Sequence, residues 1–215
     1  MFYHDLGLTL KHIQPSNLEK QNVQRAIDIF SPELIGAIRS NHDQGVLGFE
    51  NVEATVTFME YVMKWWLIMD ISYTTQWTRQ RLEDKKPFYS AEDECLKWLE
   101  EDFLQYLKDW RAHSKGKQFL TKETYQAVVL TTKCTIAIVK YLLNVKKFFF
   151  VLTRPFQSDP VESFFSNLRQ LNGCLYHVEA RGALLAIEKM LRTGLARASI
   201  NGNVRMETTN KQVNY

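Results

Sequence analysis

Cysteine is scarce in this chain. Cys95, Cys134 and Cys174 are the only 3 in 215 residues. They are odd in number and far apart, and no CxxC or Cys/His metal spacing occurs. The pattern reads as reduced intracellular thiols, not as a disulfide framework or a zinc site. A GxxxxGK[ST] loop is also missing, which excludes a P-loop nucleotide fold. The N-terminus MFYHDLGLTL has no basic stretch leading into an apolar core, so it does not read as a signal peptide. No apolar run reads as long enough to span a bilayer, so an intracellular protein without a membrane partner is expected. No internal repeat is visible. Charge of one sign is lacking too, with 27 Lys and Arg against 24 Asp and Glu, a net charge of +3 and a pI of about 8.7. That balance decides nothing about nucleic acid, because a dedicated binder is usually more basic.

What is present is ordinary for a soluble globular protein: 45% hydrophobic and 24% charged residues. The length suits one large or two small domains. Aromatic residues make up 13%. Most fall within helical apolar stripes, so they read as core more readily than as stacking platforms.

In chain order, Ser16-Asn17-Leu18-Glu19 is a capping box that opens a helix to about Phe30. Ser31-Pro32 caps a second helix to about Ser40. A long helix is predicted from about Asn51 to Ser72, with Val52, Val56, Met59, Val62, Met63 and Trp66 on one face. Thr74 to Pro87 carries Arg79, Arg81, Lys85 and Lys86 among acids and reads as an exposed connection. Ser90 opens a helix to about His113, with Leu96, Leu99, Phe103, Tyr106, Leu107 and Trp110 inward. Thr121 caps another to about Lys146, with Val128, Thr132, Thr135, Ile136, Val139 and Leu143 inward. Phe148 to Leu152 is a short apolar run of β-forming residues, predicted as a buried strand or extended lead-in. A last helix runs from about Val178 to Gly194, with Ala183, Leu184, Ile187, Met190 and Leu191 inward. From Ser199 onward the sequence is polar and aperiodic and reads as a disordered tail.

The stretch SDPVESFFSNLRQLNG, residues 158–173, is the one that carries a candidate site. Asp159 reads as an N-cap and Pro160 as the first helical residue. Asn172-Gly173 ends the helix. Val161, Phe164, Phe165, Leu168 and Leu171 are predicted to be buried. Asp159, Glu162, Ser166 and Arg169 fall on the other side. Asp-x-x-Glu is a capping pattern, and acids there suit the helix dipole. Spacing alone favours capping and leaves a functional site open.

The run FFFVLTRPFQSDPVESFFSNLRQLNGC resembles the last block of P-element-type DNA transposases, including their THAP-domain relatives. Val151-Leu152-Thr153-Arg154 matches the block's lead-in. Asp159-Pro160-Val161-Glu162 matches its core, and Phe165 and Arg169 match the phenylalanine and arginine that follow. The resemblance implies that Glu162 is the final catalytic and metal-binding acid of an RNase H-like triad, with Asp159 an accompanying acid. It extends backward over LTLKHIQPSNLEKQNVQRAIDIFSPELIGAIR, PFYSAEDECLKWLEEDFLQYLKDW and FLTKETYQAVVLTTKCTIAIVKYLL, which match helices of the family's GTP-binding insertion. The implied fold is mainly α: a helical insertion domain over 1–147, the closing strand and helices of an RNase H-like domain over 148–200, and a tail over 201–215.

The implied function is DNA cut-and-paste transposition with Mg²⁺, in the nucleus, by an intact protein that binds transposon ends and GTP. The alternative is a non-catalytic helical module for nucleotide binding or protein interaction. Lys11, Lys20, Asn22, Trp66 and Asp70 are the groups that a guanine nucleotide would meet. Each has a plainer reading: solvated lysines, a core tryptophan, a helix-end polar residue. Arg169 could face a DNA phosphate or pair with an acid. Two departures from the family pattern stand out. The chain begins downstream of the family's first two catalytic aspartates, and Gly173-Cys174-Leu175-Tyr176-His177 lacks the Asn-Asp pair usual after the catalytic helix. Apolar residues of 148–194 would then lack part of their partner surface, so self-association is expected.

Overall fold

The computed structural model describes residues 8–17, 20, 22–114, 119–174 and 177–193, with the side chains of Asp159 and Pro160 left aside. The Leu18-Glu19 half of the expected capping box, residues 115–118, Gly194 and the tail lie outside these residues. Helix α1 spans Leu10–Ile13 and α2 Val23–Asp28, which Asn22 caps by accepting the Arg25 N–H. Ser31 caps α3, Pro32–Asp43, through the Leu34 N–H. Then come α4, Glu53–Met69, and the short α5, Gln76–Gln80. Helix α6 covers Glu94–Lys97; a π-helical turn over Trp98–Phe103 joins it to α7, Leu104–His113. Asp93 caps α6 by accepting the Cys95 N–H, three residues later than the expected start at Ser90. Thr121 caps α8, Lys122–Asn144. Helices α9, Asp159–Leu171, and α10, Ala180–Thr193, complete the described chain.

The main core lies where α4, α6–α7 and α8 meet. Ile68 and Met69 of α4, Leu96 of α6, Leu104 of α7 and Ile136, Val139 and Leu143 of α8 are buried together, with Leu99 of the π turn. The 3.6-residue stripe of α8 does this directly: Thr132, Thr135, Ile136, Val139 and Leu143 fall on one face. Trp65 Nε1 donates to Thr132 Oγ1 at 2.8 Å, and Thr132 donates to the Val128 carbonyl at 2.7 Å, so a buried threonine is satisfied twice. The other face of α8 is open, with Leu130 64% exposed. Helix α8 is long and apolar enough to cross a membrane by length and composition alone, which the sequence reading did not anticipate. Here its stripe is spent on the protein core. A second core joins α3 to α4 through Leu34, Ile35, Val52, Val56 and Met59. A third, smaller one joins α9 to α10 through Leu168, Ala186 and Met190.

The expected strand at Phe148–Leu152 is an extended segment with a single antiparallel bridge, Phe88 to Val151. No longer strand occurs among the described residues. Val151 and Leu152 are fully buried in the main core, whereas Phe149 is 79% exposed. The connection between Thr74 and Pro87 is not simply exposed. Gln76 and Lys85 are buried within it. Burial of Cys95 beside Asp84 and Asp93 pushes its thiol up to about 12, so it is an inert thiol.

Candidate functional site

Helix α4 ends at Met69, and the residues just beyond it anchor the lead-in to α9. Asp70 is its C-cap and is buried. Lys85 Nζ meets Asp70 Oδ2 at 3.0 Å, and Arg154 Nη1 meets Asp70 Oδ1 at 2.6 Å. The lysine side chain is 8% exposed and the arginine 45%. Both carboxylate oxygens are therefore engaged, which is the condition for burying an acid and a lysine without a large penalty.

Thr153 completes the junction. It is 1% exposed. Its Oγ1 donates to the Ile68 carbonyl at 2.5 Å and accepts from the Ile71 N–H at 3.2 Å. The Arg154 N–H donates to the Ile71 carbonyl at 3.1 Å, and Gln157 Nε2 to the Met69 carbonyl at 3.0 Å. The end of α4 has carbonyls without helical partners; the lead-in supplies the donors. A single 3₁₀ turn, Arg154–Phe156, then delivers the chain to α9.

Helix α9 starts one residue earlier than expected. Ser158 holds the N-cap position and makes no side-chain cap bond. Its hydroxyl instead donates to Glu162 Oε1 at 2.7 Å. Glu162 is exposed, one turn into the helix. Arg169 is exposed two turns further on and makes no ion pair among the described residues. Gly173, at φ +73°, ends the helix as its position in the sequence implies.

The buried face of α9 is narrower than expected. Leu168 is buried, and Phe164 and Leu171 are half-buried and pack, with Val178, Ala183 and Ile187, against the Leu168, Ala186 and Met190 cluster. Val161 and Phe165 stay 55% and 50% exposed. On α10, Leu184 and Leu191, expected inward, are 69% and 65% exposed. Among the described residues no third layer covers them: two helices facing each other cover one stripe apiece, and the flanking apolar positions remain exposed.

The five groups named for a guanine nucleotide have separate surroundings. Trp66 lines a cavity of about 200 Å³ with Val23, Ala26, Ile27, Phe30 and Trp65, which offers little but apolar surface. Asp70, one turn on, is held by Lys85 and Arg154. Asn22 Oδ1 caps α2. Lys20 Nζ reaches Asn17 at 3.4 Å, and Lys11 is exposed on α1. Lys85, expected in an exposed connection, and Thr153, expected in the lead-in, prove to be the groups that bind the end of α4, Lys85 through Asp70 and Thr153 through Ile68 and Ile71. Nothing in the Lys85-Lys86 pair signals that Lys85 has a partner 15 residues back.

No family model and no curated protein sequence matches the chain. Among solved structures it matches the Drosophila P element transposase strand transfer complex, with a TM-score of 0.61, 23% sequence identity and 90% of this chain covered. The match spans 41% of that transposase chain, so this chain corresponds to less than half of it. The chain thus has the fold of the matched portion of a P element transposase.

Proposed function

We propose that the chain is the insertion and closing portion of a P-element-type DNA transposase, in which Glu162 supplies the last acid of the strand-transfer site. The observation that carries the reading is the shared fold over 90% of the chain. Supporting it, the lead-in Val151-Leu152-Thr153-Arg154 is pinned to α4, and Glu162 follows on an exposed helix face. Arg169, on the same helix, is the group we assign to DNA phosphate. The reading carries with it a nuclear location and transposon ends as the partner of the intact protein.

Two Mg²⁺ ions need several oxygen ligands from the protein, and one exposed carboxylate gives each at most one. No group of three or more His, Cys, Asp or Glu side chains able to hold a metal occurs among the described residues. The described residues alone do not fit the metal pair, and their contribution is to hold Glu162 in place. We expect it to leave supercoiled plasmid intact with Mg²⁺ or Mn²⁺. Nicking that disappears in Glu162→Gln would overturn this.

The resemblance motivates a second part of the proposal, guanine-nucleotide binding by residues 10–147. Without a phosphate loop, binding in the millimolar range is expected. GTP at a concentration equal to such a Kd adds about 0.4 kcal/mol and raises Tm by about 1 °C. A melting curve and a calorimetric titration that are both flat at millimolar GTP would reject it.

A further inference from the structure

An open groove of about 630 Å³ lies between the N-terminal end of α4 and the C-terminal end of α7. Its floor is aromatic. Phe58 and Trp110 pack at a tilt with centroids 5.2 Å apart, and Tyr106 and Trp110 likewise at 6.2 Å. All three rings are half-buried. Its rim carries Glu53 from α4 and Asp109 from α7, both exposed. Among the described residues no Lys or Arg lines it. Neither carboxylate forms an ion pair among the described residues; Asp109 Oδ1 accepts only from Gln105 Nε2, at 2.8 Å. His113 also lines the groove, and its Nδ1 is engaged by the Asp109 carbonyl at 2.7 Å. The groove is far from Glu162's anchor: Glu53 and Asp70 stand at opposite ends of α4, about 25 Å apart at the helical rise.

We infer that this groove binds an arginine side chain of a basic peptide segment. Charge complementarity favours a cationic ligand, since the described rim offers two carboxylates and no Lys or Arg. The ring faces carry negative potential and attract a cation placed over them. A guanidinium suits both features, because its plane stacks on Tyr106 or Trp110 while its N–H fork reaches Asp109 or Glu53. An ammonium gains the charge but not the stacking. A neutral ligand gains neither.

The test uses the full chain, uniformly ¹⁵N-labelled, titrated with the capped peptide Gly-Arg-Gly and with its lysine and citrulline counterparts. Trp110→Phe assigns the Trp110 indole signal. The expected result is a saturable shift of that signal with the arginine peptide, weaker with lysine and absent with citrulline. The double variant Glu53→Gln/Asp109→Asn should weaken arginine binding roughly tenfold. Both positions are exposed, and circular dichroism should show the fold unchanged. Equal responses to arginine and citrulline, undiminished binding by the double variant, or no saturable shift at millimolar peptide would each overturn the inference.

Discussion

Replacing Asp70 with alanine is expected to lower Tm by about 10 °C. The substitution strands Lys85, whose ammonium sits on an 8% exposed side chain with Asp70 as its ion-pair partner. Breaking a buried pair from one side costs about 3–5 kcal/mol, and a chain of this size loses about 2–4 °C per kcal/mol. Arg154 is 45% exposed and can turn to water, so most of the loss belongs to the lysine. Replacing both partners, as Asp70→Leu with Lys85→Met, should recover most of the stability, because no uncompensated charge then remains. Thermal melts of the two variants make the check. An alanine variant that melts within a degree or two of the parent would show that the pair is not sequestered.

Thr153→Val should cost about 2–3 kcal/mol. Valine keeps the shape but removes the hydroxyl that serves the Ile68 carbonyl and the Ile71 N–H. Two buried backbone groups are left without that partner, and each unmet group costs about 1–3 kcal/mol, less what relaxation recovers. Thr153→Ser keeps the hydroxyl and loses one methyl, so about 1 kcal/mol is expected. Denaturant titrations of the three proteins separate the cases. Equal midpoints for valine and serine would mean that packing, and not hydrogen bonding, holds the lead-in to α4.

Much of the helical layout was legible because the apolar stripes are regular. Val139 and Leu143 repeat at helical spacing after a threonine cap, and α8 follows from that alone. Ser31-Pro32 likewise announced α3. The signals that failed were those whose answer lies elsewhere in the chain. Val161, Phe165, Leu184 and Leu191 are apolar and well spaced, yet whether they are buried depends on a neighbouring layer that periodicity cannot reveal. Lys85 looked like one more charge in a mixed connection; its burial is set by Asp70 and by Arg154, 69 positions later. At the candidate site, the motif spacing placed Glu162 on the exposed face of its helix. The Ser158 hydroxyl bond to it was not legible, since a serine beside an Asp-Pro pair fits several local roles.

The central claim is that α9 and α10 pack on each other apart from the main core, with no further layer against them among the described residues. Among the described residues their shared core buries Leu168, Ala186 and Met190, and it is separate from the main one. Amide hydrogen exchange on a monomeric sample tests this directly. Amides of 160–171 should open at least about 3 kcal/mol more readily than those of 121–146, which is roughly two orders of magnitude in exchange rate. Equal protection of the two segments would show a complete, cooperative fold and contradict the account.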